Sequence, residues 1–173
     1  MIGDRWGVSD AEVARRYGCD DVVRHPTLEA WRGVSVEADP AHVWARVKQV
    51  RIAPYSYDLV DNLGRRSPRE LREVPEPQPG DPFTRAFGRD QGRVVLVVPG
   101  EELTARIVGA HMSYAVLPQG STTRLVLKIV MGAHRWLAPA VSVGDLVMAR
   151  KQLLTLARLA EGDALGRSNH LRR

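Results

Sequence analysis

Five segments with strand-like composition follow one another in the second half of the chain, and a long proline-free helix comes after them. Short turn sequences separate several of them: Asp90-Gln91-Gly92, Pro99-Gly100 and Pro118-Gln119-Gly120 are typical hairpin connections. Strands joined by such short links run antiparallel. This order predicts an α+β domain built on an antiparallel sheet, with strands at Phe83 to Gly88, Arg93 to Val98, Leu103 to Ala110, Met112 to Leu117 and Thr122 to Met131.

The final helix is predicted from Val143 to Glu161, with Ser142 as its cap. Apolar residues recur at helical spacing and form one stripe along it: Leu146, Val147, Ala149, Leu153, Leu156, Ala157 and Ala160. Large twisted sheets curl strongly. A single helix laid across a concave sheet covers it without filling the space beneath, so we expect an internal cavity there.

The first half of the chain supplies a strand and two helices. Leu28 to Ala38 alternates, which places Arg32, Val34 and Val36 on one face. Asp39-Pro40 is a strong helix start, and the helix presents Val43, Trp44, Val47 and Val50. A second short helix is predicted from Tyr57 to Leu63. Prolines then interrupt residues 65–82, which we expect to form a loop over the fold.

Three regions follow from these patterns. Residues 1–27 are an N-terminal arm with one short helix. The helix begins at a capping box formed by Ser9 and Glu12, and we expect it to end at Gly18. Residues 28–161 form the main domain, and residues 162–173 form a flexible basic tail.

Composition favours a single soluble globular domain, because 44% of the residues are hydrophobic and 26% are charged. The longest apolar stretch is too short for a transmembrane segment, and the N-terminus lacks the apolar run of a signal peptide. We therefore expect a cytoplasmic protein. Cys19 is the only cysteine and is expected to be an inert small residue near the end of the N-terminal helix.

The net charge of +5 raises the hypothesis that the protein binds nucleic acid. Three of these charges come from Arg167, Arg172 and Arg173 in the tail, and the remaining charges are mixed along the chain. Mixed charge is typical of a solvated surface, so no specific nucleic-acid binding is expected.

Three segments resemble the START-like (SRPBCC) superfamily, and in particular its bacterial polyketide cyclase/dehydrase-like branch. The first strand and helix match at Arg32-Gly33-Val34-Ser35-Val36-Glu37-Ala38, with Pro40, Val43 and Trp44. The tyrosine-rich segment matches from Tyr55 to Leu63, and the start of the last helix from Asp145 to Leu154. The resemblance covers roughly residues 5–161 and implies a helix-grip fold, in which a curved antiparallel sheet wraps around the C-terminal helix and encloses a ligand cavity.

Sequence motifs for cofactor or metal chemistry are absent from the chain. Neither a GxGxxG nor a P-loop pattern occurs, nor a GxSxG elbow. The histidines at 25, 42, 111, 134 and 170 show no metal-ligand spacing. We therefore expect no cofactor and no metal site, and no catalytic residue is identified. His111 should alternate away from the inward face.

The expected ligand-binding residues fall into two groups. Tyr55 and Tyr57 combine an apolar ring with a polar tip, which suits a pocket mouth, although either could simply pack the helix on the sheet. Arg32 is expected close to the interior, paired with Asp58 or Glu102 or facing an anionic or carbonyl ligand. The full predicted set is Arg32, Val34, Val36, Tyr55, Tyr57, Asp58, Asn62, Tyr114, Val116, Leu125, Leu127, Leu146 and Leu153.

Two functions remain open from the sequence. The leading hypothesis is a binding protein for a small hydrophobic or amphipathic molecule, such as a lipid, polyketide or aromatic metabolite. The alternative is a cofactor-independent enzyme of the polyketide cyclase/aromatase or dehydrase type that uses the same cavity. Either a monomer or a homodimer is compatible with the sequence.

Overall fold

The computed structural model describes residues 4–55, 67–86, 88–107, 109–132 and 138–170. Its centre is a seven-stranded sheet in the order β1-β2-β7-β6-β5-β4-β3. Every neighbouring pair is antiparallel except β1 and β2. The strands are β1 (Arg5–Trp6), β2 (Leu28–Val36), β3 (Pro82–Ala86), β4 (Arg89–Val98), β5 (Glu102–Ile107), β6 (Ala110–Gln119) and β7 (Thr122–Met131).

The helices lie on both sides of this sheet. Two short helices, α1 (Asp10–Ala14) and α2 (Gly18–Val22), precede β2. The helix α3 (Pro40–Lys48) continues into a 3-10 turn, Gln49–Arg51. The last helix, α4, runs from Ala138 to His170. None of the helices within the described ranges is long and apolar enough to span a membrane.

The predicted strands are confirmed, but the turns before β4 and β6 were predicted in the wrong places. Asp90-Gln91-Gly92, expected to be a hairpin turn, lies inside β4. The chain reverses instead near Gly88 and Gly109, both of which have positive φ, at +73° and +79°. Glycine adopts this left-handed conformation without the steric cost of a Cβ. These glycines therefore end β3 and β5, and β4 is longer than predicted.

The main hydrophobic core lies between the inner face of the sheet and the helices α3 and α4. The predicted stripe of α3 is buried there, as is the inward face of β2. Asp39 caps α3 through its carboxylate, which accepts a 3.0 Å hydrogen bond from the backbone N–H of His42. From α4 the core receives Ala149, Leu153, Leu156, Ala157 and Ala160. The sequence periodicity therefore identified the buried face of α3 correctly, and that of α4 from Ala149 onward.

The N-terminal arm packs on the opposite face of the sheet. The capping box at Ser9 is confirmed, but α1 ends at Ala14 and Gly18 begins α2 instead of ending a helix. A Cβ at Gly18 would lie 2.5 Å from Oγ1 of the buried Thr104, so a larger residue here would require the neighbouring side chains to shift. Its N–H donates a 2.6 Å hydrogen bond to Oε1 of Glu102.

Charged side chains hold the arm to the sheet as well. Arg124 on β7 donates hydrogen bonds to both carboxylate oxygens of Glu12, at 2.7 and 3.1 Å. Lys128 forms ion pairs with Asp20 and Glu29 beneath the arm. A second buried cluster fills the same face, with Tyr17, Cys19, Trp31, Ala115, Val126 and Val130.

The helix α4 extends beyond both predicted ends. It begins at Ala138, where Pro139 falls in the first turn and costs no helical hydrogen bond. It continues past Glu161 through residues assigned to a flexible tail, as far as His170. A tertiary ion pair between Asp163 and Arg46 of α3 anchors this extension, which the apolar stripe alone did not predict.

The proline-rich segment after residue 66 is irregular, as predicted, and it is tied to α3. The Nε1 of Trp44 and the Nζ of Lys48 donate hydrogen bonds to the two carboxylate oxygens of Glu76, at 3.0 and 3.2 Å. Arg51 contacts Asp81 at 2.9 Å. The beginning of this segment borders the cleft described next.

Candidate ligand-binding cleft

Tyr55 occupies an unusual backbone position after the 3-10 turn. Its φ of +54° is the only positive value among the described non-glycine residues, and its side chain is 1% exposed. A bulky residue in this region costs about 1–3 kcal/mol, and such strain clusters at functional sites. The backbone N–H of Tyr55 donates a 3.3 Å hydrogen bond to Oγ of the buried Ser67, which supports this conformation.

A buried glutamine orients the Tyr55 ring. The Tyr55 hydroxyl donates a 3.3 Å hydrogen bond to Oε1 of Gln49, which also accepts one of 2.7 Å from Nη1 of Arg46. The Gln49 amide nitrogen donates to the backbone carbonyls of Glu70 and Arg72. The same glutamine therefore connects α3, Tyr55 and the proline-rich loop.

A second glutamine connects the sheet, the last helix and the residue before Tyr55. The Tyr114 hydroxyl on β6 donates a 2.7 Å hydrogen bond to Oε1 of Gln152 on α4. The Nε2 of Gln152 donates a 2.5 Å hydrogen bond to the carbonyl of Pro54. Buried polar groups of this kind are costly unless they form hydrogen bonds. The contacts of Gln152 therefore hold α4 against β6 and against the residue before Tyr55.

A cleft of about 250 Å³ opens beside Tyr55, between α4 and the start of the proline-rich loop. Tyr55 and Leu159 form its apolar part, and both also belong to or pack against the main core. Its remaining lining residues are polar or basic apart from one proline: Ser67, Pro68, Arg69, Lys151, Thr155 and Arg158.

Seven predicted cavity residues lie together in the main core. On β2 Val34 lies opposite Leu125 of β7, and Leu127 lies one pair further along, opposite Arg32; Val36 is on the same face of β2 as Val34. Tyr114 and Val116 follow on β6, and Leu153 of α4 packs over them. All seven are buried. They share one buried cluster, but none of them borders the cleft.

Arg32 is fully buried, as its face of β2 predicted. Its Nη1 donates 2.8 Å hydrogen bonds to the backbone carbonyls of Asp4 and Trp31. Of the two suggested partners, Glu102 accepts hydrogen bonds from Gly18 and Thr104 on the opposite face of the sheet, and Asp58 lies outside the described residues.

Some predicted site residues lie outside the described part of the chain. These are Tyr57, Asp58 and Asn62, together with the short helix expected from Tyr57 to Leu63. Leu146 lies within α4, and its side chain is outside the described part too.

Sequence reasoning missed the basic and polar residues around the cleft. Lys151, Thr155 and Arg158 recur at i, i+4 and i+7 on α4, a spacing that places them on one helix face. That periodicity was a usable signal. Arg69 had no such signal, because its place beside α4 depends on the path of an irregular loop.

The outer face carries a separate row of basic residues. Arg93 on β4 lies opposite Arg106 on β5, which lies opposite His111 on β6. Burial lowers the pKa of His111 below its ordinary value of 6.5, and the charge of Arg106 lowers it further. Across the described ranges, no group of three or more histidine, cysteine or acidic residues is arranged to hold a metal ion.

Comparison with known proteins gives matches among solved structures. A protein from Rhodobacter sphaeroides is 21% identical, with 81% of this chain and 94% of that one covered and a TM-score of 0.52. Protein NE0264 from Nitrosomonas europaea is 13% identical, with coverage of 79% and 96% and a TM-score of 0.51. The polyketide-cyclase-like protein Cgl2372 from Corynebacterium glutamicum is 12% identical, with coverage of 82% and 95% and a TM-score of 0.49.

The chain has a helix-grip fold. The predicted resemblance is therefore confirmed for the fold. In this fold the curved sheet holds α4 against its inner face. No family model matches the chain, and no curated protein sequence matches it. At these identities the likeness concerns the helix-grip architecture alone, and many unrelated activities use one architecture.

Proposed function

We propose that this helix-grip protein binds a small hydrophobic or amphipathic molecule, such as a lipid, polyketide or aromatic metabolite, which enters through the cleft at Tyr55. The observation that carries the proposal is the continuity between cleft and core. Tyr55 lines the cleft and belongs to the main core cluster, and Leu159 lines the cleft and packs against that cluster. An apolar group that passes the polar and basic residues of the opening contacts Tyr55 and Leu159, which connect the cleft to the core.

The volume of the cleft is enough for only part of a drug-sized ligand. Pockets for drug-sized ligands usually measure about 300–1,000 Å³, and the cleft measures about 250 Å³. We therefore propose that the rest of the ligand lies under α4, against a wall that includes Val34, Val36, Tyr114, Val116, Leu125, Leu127, Leu146 and Leu153. Arg32 and the segment containing Tyr57, Asp58 and Asn62 are proposed to lie near that space.

Binding explains the polar groups near the cleft better than catalysis does. The hydroxyls of Tyr55 and Tyr114 donate hydrogen bonds to Gln49 and Gln152, so both are engaged in contacts within the protein. None of the described residues that line the cleft is a histidine or a carboxylate, the usual general bases.

Two measurements test the binding proposal. Native mass spectrometry of freshly purified protein is expected to detect a co-purifying small molecule. Titration with the neutral fluorescent probe N-phenyl-1-naphthylamine is expected to give saturable binding. If the protein carried no small molecule and the neutral probe did not bind, the proposal would be wrong.

Matched substitutions on α4 locate the site. Leu159→Trp fills the cleft and is expected to abolish probe binding, whereas Leu165→Trp alters an exposed position on the same helix and should leave binding unchanged. Val34→Phe tests the space under α4. If a cavity lies there, this change should cost less than the roughly 1–3 kcal/mol of overpacking a filled core and should weaken probe binding.

A cyclase or aromatase activity is the second candidate, and the strained backbone of Tyr55 favours it. In such a reaction the cavity would fold a reactive chain, and tyrosine hydroxyls would guide proton transfer. The expected result is a change in the ratio of cyclised products when a poly-β-ketone chain is incubated with the protein. Tyr55→Phe should abolish that change, and an unaltered product ratio with the parent protein would exclude this candidate.

A further inference from the structure

Three cations converge on the cleft from two elements. Lys151 and Arg158 lie on one face of α4, and Arg69 lies on the loop across the opening. All three side chains belong to exposed residues. No carboxylate appears among the described lining residues, so the charged side chains in this part of the lining are all positive.

These cations differ from most others near α3 and α4. Arg46, Lys48 and Arg51 each form an ion pair with a described acidic residue. In the described part of the chain, Arg69, Lys151 and Arg158 have neither an ion pair nor a side-chain hydrogen bond. Like charges around one opening repel each other, and an anion placed between them would remove that repulsion.

We infer that the cleft binds the anionic group of an amphipathic ligand, with Arg69, Lys151 and Arg158 around the anion and the apolar part directed past Tyr55 and Leu159. The inference rests on the proposed function and specifies its ligand class: a carboxylate, sulfonate or phosphate attached to an apolar body. Guanidinium groups bind such anions through paired hydrogen bonds, and lysine acts as a point charge. The Thr155 hydroxyl donates its proton to the carbonyl of Lys151. It therefore has no proton left to donate to the anion.

The test compares two dyes that differ by one anionic group: 1-anilinonaphthalene-8-sulfonate and the neutral N-phenyl-1-naphthylamine. The parent protein is expected to bind the sulfonate dye more tightly, and the preference should shrink as salt rises. Lys151→Gln and Arg158→Gln should each weaken sulfonate binding about fivefold, as expected for one exposed charge pair of about 1 kcal/mol. Neither substitution should change binding of the neutral dye.

Control variants separate this cleft from basic residues elsewhere. Arg24→Gln removes one exposed charge outside the cleft, and Arg106→Gln removes one from the basic row on the outer face. Both should leave the affinity for the sulfonate dye unchanged. A loss caused by Arg106→Gln instead of Arg158→Gln would overturn the inference, because the anion would then bind on the outer face.

The two proposals fail in different ways. If neither dye binds, the proposed ligand-binding function fails. If the neutral dye binds as tightly as the sulfonate dye, or if the cleft variants do not affect the sulfonate dye, the function stands and the anion inference is wrong. Inorganic phosphate at millimolar concentration should not displace the sulfonate dye; full displacement would show that a free anion is sufficient and would also overturn the inference.

Discussion

The hydroxyl of Tyr114 donates a 2.7 Å hydrogen bond to the side-chain carbonyl of Gln152 and thereby joins β6 to α4 inside the core. The same glutamine donates to Pro54, so its side chain determines how α4 meets both the sheet and the residue that precedes Tyr55. The height of α4 above the sheet therefore depends on a polar contact as well as on apolar packing.

Removal of one partner from this contact is expected to destabilise the protein. Tyr114→Phe leaves the Gln152 carbonyl without this donor, and Gln152→Leu removes the acceptor. Each should lower the free energy of unfolding by about 1–3 kcal/mol, because a buried polar group loses its partner. Chemical denaturation of both variants measures these losses.

The double variant Tyr114→Phe/Gln152→Leu provides the control. It should lose less than the sum of the two single changes, since it leaves no orphaned group between the two positions. Strictly additive losses would show that the two side chains do not interact energetically.

The ion pair between Arg46 and Asp163 is expected to hold the C-terminal half of α4. Both bonds measure 2.6 Å, and the arginine side chain is 2% exposed. Asp163→Ala would leave a buried guanidinium without its carboxylate and should lower the free energy of unfolding by about 3–5 kcal/mol. Asp10→Ala removes the 99% exposed partner of Arg5 and should have no measurable effect. Equal effects of the two substitutions would contradict a specific role for the pair.

Periodicity predicted the elements of this fold because one face of each element is buried. The alternation of β2 placed Val34 and Val36 inward, and the spacing on α3 placed Trp44 and Val47 in the core. The end of α4 was missed because an ion pair between positions 117 residues apart stabilises it. Periodicity carries no information about such a contact.

The candidate site was only partly predictable for a similar reason. Tyr55 was selected for its chemistry, and it does line the cleft. Arg69 reaches the cleft along an irregular loop, which Gln49 fixes through the carbonyls of Glu70 and Arg72. Neither the path of that loop nor the positive φ of Tyr55 follows from local sequence preference, because both depend on tertiary hydrogen bonds.

Cys19 is expected to be unreactive in the folded protein. The residue belongs to α2 of the arm and is fully buried against the sheet, and burial raises the pKa of its thiol to about 11. Only the thiolate attacks disulfide reagents, so Ellman's reagent should not react with the native protein at pH 8. One equivalent should react in denaturant. Rapid reaction of the native protein would mean that the arm opens readily from the sheet.

His111 is expected to make the protein less stable in mild acid. Burial and Arg106 lower its pKa below 6.5 in the folded state, so the unfolded chain binds a proton at a higher pH than the folded chain does. The free energy of unfolding should therefore be fully retained above pH 6.5 and should fall as the pH drops from 6.5 through the folded pKa. Denaturation at several pH values, with His111→Gln as the comparison, isolates this contribution from the other histidines.

The neighbouring arginine should modulate that titration. Arg106 lies directly opposite both Arg93 and His111 in the sheet, and like charges in opposed positions destabilise a strand pair. Arg106→Gln should raise the pKa of His111, as measured from its imidazole NMR shifts, and should reduce the loss of stability in acid. Arg85→Gln changes an exposed arginine on β3 and is the matched control. If the two variants gave the same pKa for His111, the row of opposed charges would have no energetic effect.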